Sequence, residues 1–361
     1  MSRAVIIMAG GTGGHVFPAL ALARLLRARQ IPVVWLGTRK GLEARVVPAE
    51  GIDIEWLSVG GLRGKGVATL LAAPFKLALS LWQALRVMWR HQPAAVVGLG
   101  GFVTGPGGVA AWLTRRPLLI HEQNAVAGFT NRCLSHLACE VLEAFPGGFR
   151  DGVGARAIGN PVRADIAAAA PPEQRFAARR GALNLLVFGG SLGAVRLNTV
   201  VPLALAQLAP GLRLNVRHQA GARWAETARA NYAAAGVGGE VTAFIEDMSE
   251  ALGWADLVIC RSGALTVSEL AAVGVGAVLV PFPAAVDDHQ TANAGFLVRA
   301  GAAVLVPDRE LTPQRLADTL KALCTGREPL LAMARKARAL AQPQSAQLLC
   351  DAVLQQMEVA A

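Results

Sequence analysis

Three glycine-containing turns carry residues suited to phosphate and sugar chemistry. The run Ala4–Met8 leads into Gly10-Gly11-Thr12-Gly13-Gly14-His15, and Leu183–Phe188 leads into Gly189-Gly190-Ser191-Leu192-Gly193. A strand entering such a turn and then a helix presents outward N–H groups and the positive end of the helix dipole to an anion. The third turn, Arg261-Ser262-Gly263, follows Leu257-Val258-Ile259-Cys260 and opens the helical pattern Ala264-Leu265-Thr266-Val267-Ser268-Glu269. Its free N–H groups, with Ser262 as cap, suit a diphosphate. A dinucleotide site is disfavoured, because Val16 occupies the last position of G-x-G-x-x-G and the next apolar run ends Trp35-Leu36-Gly37-Thr38 without a carboxylate. No P-loop spacing occurs.

Specific side chains extend this chemistry. The two carboxylate oxygens of Glu269 match the two donors of a vicinal ribose diol, the alternative being a solvated helix glutamate. His15 is the candidate for acid–base work, because imidazole titrates near neutrality; a capping or packing histidine is the alternative. In Asp287-Asp288-His289-Gln290-Thr291-Ala292-Asn293, the amides of Gln290 and Asn293 can address sugar hydroxyls, while Asp287 or Asp288 can cap the following helix. His121-Glu122-Gln123-Asn124 forms another polar group expected to face the same cleft. A pair of carboxylates placed for glycoside hydrolysis is not evident.

The elements that must position these residues alternate short β-branched runs with longer helical patterns, the mark of a parallel sheet covered by helices. Ala4–Met8, Pro32–Leu36, Ala94–Gly98 and Leu118–Ile120 form one strand series; Leu183–Phe188, Leu212–Val216, Asp256–Cys260 and Ala277–Val280 form another. Gly159-Asn160-Pro161-Val162-Arg163 and an Ala/Pro-rich stretch to Pro172 separate them. The expectation is an α/β chain of two doubly wound, Rossmann-like parallel-sheet domains facing across a cleft.

Composition agrees. The 361 residues are 53% hydrophobic and 17% charged, which excludes intrinsic disorder. The net charge of +10 suggests a polyanionic partner, but 5% aromatics and a single tyrosine leave few stacking platforms for single-stranded nucleic acid. Five cysteines without C-x-x-C and six histidines without metal spacing indicate neither disulfides nor a metal. The apolar run at the N-terminus is too short for a signal peptide, so no targeting signal is expected.

The charge is local. From Trp56 to His121 there is no Asp or Glu, yet Arg63, Lys65, Lys76, Arg86, Arg90, Arg115 and Arg116 lie there. On a helix from Leu70 to Trp89, Lys76, Ser80, Gln83, Arg86 and Arg90 would form a polar stripe beside Leu71, Phe75, Trp82 and Trp89. Leu77, Leu81, Leu85 and Met88 would face the sheet. Such a helix suits an anionic membrane surface, the alternative being a core-packed helix with a solvated edge.

Gly10 to Pro18, His121-Glu122-Gln123-Asn124, Gly159 to Arg163, Gly189-Gly190-Ser191 and Arg261 to Glu269 together resemble, in order, the motifs of the MurG family, and the likeness covers essentially the whole chain. That resemblance implies a GT-B glycosyltransferase fold with domains at 1–163 and 164–341. Acceptor binding falls to the first domain and UDP-sugar binding to the second, with a C-terminal helix, 342–361, packing back on the first. It implies inverting transfer of N-acetylglucosamine from UDP-N-acetylglucosamine to the C4 hydroxyl of undecaprenyl-diphosphate-N-acetylmuramoyl-pentapeptide (lipid I), giving lipid II. A diacylglycerol glycosyltransferase and a UDP-N-acetylglucosamine epimerase share the fold and are the competing activities.

By the same resemblance, Ile245 contacts uracil through its backbone and Glu269 binds the ribose. Ser191 and the helix start at Ala264, Leu265 and Thr266, with Val267 and Ser268 behind it, hold the diphosphate. Thr12, Gly13, Gly14, Asn124, Arg163 and Gln290 line the donor site, and His15 is the base. Arg261 or Arg163 is expected to steady the departing diphosphate. Some members carry Gln-Gln where this chain has His289-Gln290. No cofactor, metal or nucleic acid is expected, and the implied location is peripheral, on the cytoplasmic face of the bacterial inner membrane.

Overall fold

The computed structural model describes residues 3–60, 73–190, 193–208 and 212–359. The chain divides into two compact domains, one of residues 1–163 with 343–361 and the other of residues 164–342.

The first domain runs β1 (Val5–Met8), α1 (Gly13–Ala28), β2 (Val33–Gly37), α2 (Glu43–Ala49), β3 (Asp53–Trp56), α3 (Ala73–His91), β4 (Ala95–Gly98), α4 (Thr104–Leu113), β5 (Leu118–Glu122), α5 (Phe129–Leu134), β6 (Glu140–Glu143) and β7 (Arg156–Ala157). Its strands form one parallel sheet in the order β3-β2-β1-β4-β5-β6-β7. The second domain runs α6 (Ala164–Ala167), α7 (Pro172–Ala177), β8 (Leu183–Phe188), α8 (Val195–Leu205), β9 (Leu214–Gln219), α9 (Ala225–Ala234), β10 (Glu240–Thr242), α10 (Met248–Trp254), β11 (Leu257–Cys260), α11 (Ala264–Val273), β12 (Gly276–Leu279), α12 (His289–Arg299), β13 (Ala303–Leu305), α13 (Pro313–Leu323) and α14 (Arg327–Ala339). Its parallel sheet follows the order β10-β9-β8-β11-β12-β13. Helix α15 (Ser345–Val359) returns to the first domain.

Both sheets are covered on both faces, which is why their central strands are unbroken apolar runs. In β1, Val5 and Ile7 point into a core shared with Leu22 and Leu26 of α1 and Leu349 and Val353 of α15. Ile6 and Met8 point the other way, towards Ala84 and Met88 of α3 and Ala110 of α4. Each fully buried leucine or isoleucine in such a core contributes about 1.5–3 kcal/mol. Close approach of α4 depends on glycine: a Cβ on Gly107 would lie 2.2 Å from Met8 Sδ, and one on Gly108 2.7 Å from Leu134.

Helix α3 departs from the expected faces. Ser80 is buried, with its hydroxyl on the Leu77 carbonyl at 2.9 Å, and Gln83 accepts the Ser58 N–H at 2.8 Å. Small residues of α3 meet the small residues of α4, so burial follows Ser80, Ala84, Val87 and Met88 rather than the leucines. Pro74 to Leu79 are all exposed, Phe75 at 79% and Leu77 at 47%. Arg63, Lys65, Leu70 and Leu71 lie outside the described residues. Among the described residues no helix is long and apolar enough to cross a membrane.

Candidate active site

In each sheet the strand order reverses direction beside the first strand, between β1 and β4 and again between β8 and β11. Ligands of doubly wound sheets bind at the carboxyl ends of the strands flanking that point. The three turns singled out in the sequence lie there.

In the first domain, β1 passes through Gly10 and Gly11, whose φ of +92° belongs to the left-handed region that favours glycine, and α1 begins at Gly13 with Thr12 as its N-cap. Thr12 is exposed, and its carbonyl accepts the N–H groups of His15 and Val16 at 3.2 Å. Gly13 and Gly14 occupy the first turn, whose N–H groups have no intrahelical acceptor. His15 is half-buried against the β4–α4 turn. A Cβ on Gly100 would come within 2.5 Å of its Nδ1, and one on Gly101 within 2.5 Å of the Gly10 carbonyl oxygen. The Gly100-Gly101 turn is thus part of the site.

The polar run after Leu118-Leu119-Ile120 is buried rather than solvent-facing: His121, Glu122 and Gln123 are all inside, and only Asn124 is half-exposed. The Glu122 carboxylate accepts from the Asn124 N–H and side-chain amide, each at 3.0 Å, from Gly128 N–H at 3.1 Å and from Asn131 at 2.9 Å. It shapes the loop that presents Asn124. Gln123 accepts from His15 Nδ1 at 2.8 Å. Burial lowers the His121 imidazolium to about 4, so that ring is neutral. Arg163 ends the first domain and is partly buried.

A second buried carboxylate, Glu43, was missed in the sequence. Its Oε2 accepts the Gly11 N–H at 2.9 Å, and its Oε1 accepts Thr38 N–H and Oγ1 at 3.0 and 2.7 Å. The only local signal is its place at the start of α2, three residues after the basic pair Arg39-Lys40.

In the second domain, Gly190 and Gly193 have φ of +87° and +74°, and a Cβ on Gly193 would lie 1.9 Å from the Ala220 carbonyl oxygen. The expected Ser191 falls outside the described residues. The N-cap of α11 is Gly263, not Ser262. Ser262 is buried, its Oγ has no hydrogen-bond partner among the described residues, and its carbonyl accepts from Asn293 at 3.2 Å. Val267 N–H makes the first helical bond, to Gly263, so the amides of Leu265 and Thr266 in the first turn have no intrahelical acceptor. Ala264 begins the helix, Val267 is buried in the core, and Ser268 Oγ donates back to the Ala264 carbonyl at 3.0 Å. Glu269 is half-buried, and its charge reinforces the burial that raises the Cys260 thiol pKa.

Further expectations are revised or refined. Asn293 is buried and committed to Ser262, so it joins α12 to the turn instead of addressing a sugar. Arg261 Nη1 donates to the carbonyls of Val280 and Pro281 at 3.2 and 2.9 Å and pairs with Asp308 at 2.6 Å; its charge is used to clamp the end of β12. Asp288 occupies the N-cap of α12 with φ +49° but accepts from Thr291 Oγ1 rather than from a backbone amide. Gln290 accepts the Phe282 N–H at 2.8 Å through Oε1, which directs its amide end. Ile245 borders a cavity of about 230 Å³ with Arg217, Phe244, Asp247 and Glu250. Among the described residues no three His, Cys, Asp or Glu side chains are grouped to hold a metal ion.

Two doubly wound parallel sheets with glycine turns at their switch points make the GT-B fold of glycosyltransferases. The glycosyltransferase family 28 N-terminal and C-terminal domains match residues 5–143 and 184–349. The chain is 56% identical to the UDP-N-acetylglucosamine--N-acetylmuramyl-(pentapeptide) pyrophosphoryl-undecaprenol N-acetylglucosamine transferase of Nitrosococcus oceani, over 98% of this chain and 99% of that one. It is 59% identical to the transferase of the same name from Alkalilimnicola ehrlichii, over 96% and 97%. The crystal structure of Acinetobacter baumannii MurG aligns with a TM-score of 0.87 at 45% identity, covering 98% of this chain and 99% of that one. The calicheamicin glycosyltransferase CalG4, at 18% identity and a TM-score of 0.69, shares the fold. The chain belongs to the MurG family.

Proposed function

We propose that this enzyme transfers N-acetylglucosamine from UDP-N-acetylglucosamine to the C4 hydroxyl of undecaprenyl-diphosphate-N-acetylmuramoyl-pentapeptide, with inversion. The observation that carries the reading is a chain matching these transferases along its whole length, with an anion-binding helix start at the switch point of each sheet. Donor recognition is assigned to the backbone of Ile245, the carboxylate of Glu269, Ser191 and the α11 helix start at Ala264, Leu265 and Thr266. Thr12, Gly13, Gly14, Asn124, Arg163 and Gln290 complete the donor contacts. His15 takes the proton of the attacking hydroxyl. The α11 amides and Arg163 steady the leaving diphosphate; preorganised donors of this kind contribute several kcal/mol.

The exposed, acid-poor face of α3 supports peripheral attachment to an anionic membrane, and we assign the enzyme to the cytoplasmic side with its lipid acceptor. An epimerase of the same fold would convert the donor into its UDP-linked epimer without acceptor. Incubation with UDP-N-acetylglucosamine, with and without a polyprenyl-diphosphate-muramoyl acceptor, separates the activities. Acceptor-dependent UDP release that falls at least a hundredfold in His15→Ala, with donor binding kept, is expected; acceptor-independent turnover overturns the transferase reading.

A further inference from the structure

The groups packed beneath His15 form a hydrogen-bonded chain to which the assignments above give no role. His121 Nε2 lies 2.9 Å from the Gly159 carbonyl oxygen, which only accepts, so Nε2 carries a proton. The ring is neutral, since full burial disfavours its charged form, and Nδ1 is therefore an acceptor. Gln123 Nε2 donates to that Nδ1 and to the His121 carbonyl, both at 3.1 Å. Two acceptors at one end of the amide identify that end as nitrogen, so the Oε1 facing His15 Nδ1 at 2.8 Å must accept. One proton arrangement satisfies every link, and it ends with hydrogen on His15 Nδ1, so that in the neutral ring the lone pair lies on Nε2.

We propose that Gln123 and His121 are positioning residues that hold His15 in the Nδ1–H tautomer, keeping Nε2 open for the proton of the acceptor hydroxyl. The proposal rests on the assignment of His15 as base. In the step itself the hydroxyl proton passes to Nε2 and the oxygen bonds to the anomeric carbon. The bond from that carbon to the diphosphate oxygen breaks, and UDP leaves with the electron pair. The imidazolium so formed still donates Nδ1–H to Gln123. An amide at this position orients the ring without adding charge, and because it donates at its other end it depends on His121 being the acceptor. Gly100 completes the seat, since any side chain there would strike the ring from the side of Nδ1.

The test is a long-range ¹⁵N–¹H correlation spectrum of the full-length protein labelled at histidine, with the His15 signals assigned by His15→Ala. Wild-type protein is expected to show protonated Nδ1 and unprotonated Nε2 in the neutral ring. Gln123→Leu is expected to mix the tautomers and lower kcat about tenfold or more, with donor KM within twofold; loss of tautomer control is costly in other histidine bases. Gln123→Glu, which still accepts from Nδ1–H, is expected to restore the tautomer, an effect packing alone would not produce. A wild-type His15 protonated on Nε2, or an unchanged tautomer in Gln123→Leu, overturns the proposal. The wild-type spectrum decides even if Gln123→Leu does not fold. If His15→Ala keeps normal kcat, the base assignment fails while the spectrum still reports on the relay.

Discussion

Glu43 accepts the backbone N–H of Gly11 at 2.9 Å, tying the first turn of α2 to the glycine turn that precedes His15. Its other oxygen holds the N–H and hydroxyl of Thr38 at the end of β2. One buried carboxylate thus joins two loop ends at the carboxyl edge of the sheet. Glu43→Ala would strand these donors in a buried site, at a cost of about 3 kcal/mol. Urea denaturation of the variant should show this loss, with Glu43→Gln intermediate because one oxygen remains. Wild-type stability in Glu43→Ala would reject the account.

Glu269 is expected to act through the donor's ribose. Hydrogen bonds to a charged group contribute about 1.5–3 kcal/mol, so Glu269→Ala should raise donor KM roughly tenfold or more with a smaller change in kcat. A donor lacking the ribose 2′-hydroxyl should bind the wild type more weakly and lose little further in the variant. Equal losses in both proteins would remove Glu269 from the ribose contact.

Stability should fall as the solution is acidified. His121 and His218 are buried, and burial depresses each to about 4 from 6.5. His218 sits between the Tyr232 hydroxyl and Asn198 Oδ1, each at 3.0 Å. Both rings fold neutral, so the unfolded chain binds more protons below pH 6.5. Their contribution is intact above that value and is lost progressively as pH falls to about 4. Each ring can account for up to about 1.4 kcal/mol per pH unit within that window. Denaturant unfolding between pH 7 and 5, above most carboxylate titration, checks this. A flat profile there would contradict neutral burial.

The exposed part of α3 should govern membrane attachment. Trp82 is 53% exposed, with the Arg86 guanidinium 5.8 Å from its ring centroid, and Phe75 projects further along the same helix. Beside them, Leu77, Leu81, Val109 and Phe129 line an apolar groove of about 290 Å³. Phe75→Ser combined with Trp82→Ser should abolish most flotation with anionic vesicles at low salt while leaving soluble-donor binding intact. Undiminished flotation would place the contact elsewhere.

The central strands were legible because strands covered on both faces must be apolar throughout; Leu183–Phe188 matches its predicted limits, and β1, β4 and β11 differ by one residue at their starts. The outer strands β3, β6, β7, β10 and β13 were not. Asp53–Trp56 and Glu140–Glu143 mix polar and apolar residues at or near the sheet margins, where the pattern weakens. On α3, helical periodicity placed Ser80 on the polar stripe, whereas close packing against the glycine-rich α4 buries it and leaves Leu77 outside.

The candidate site divides in the same way. Gly10 to His15 and Arg261 to Glu269 are contiguous, and strand, turn and helix start follow from local residue types, so their chemistry could be argued from order alone. Contacts made across the chain could not. Glu43 reaches Gly11 over 32 residues and Gln123 reaches His15 over 108, while Arg261 is turned from the expected diphosphate role by Asp308, 47 residues on. Residue type says what a group can donate or accept. Its partner is decided when parallel strands bring distant loops to one sheet edge and burial demands that each polar group there be satisfied.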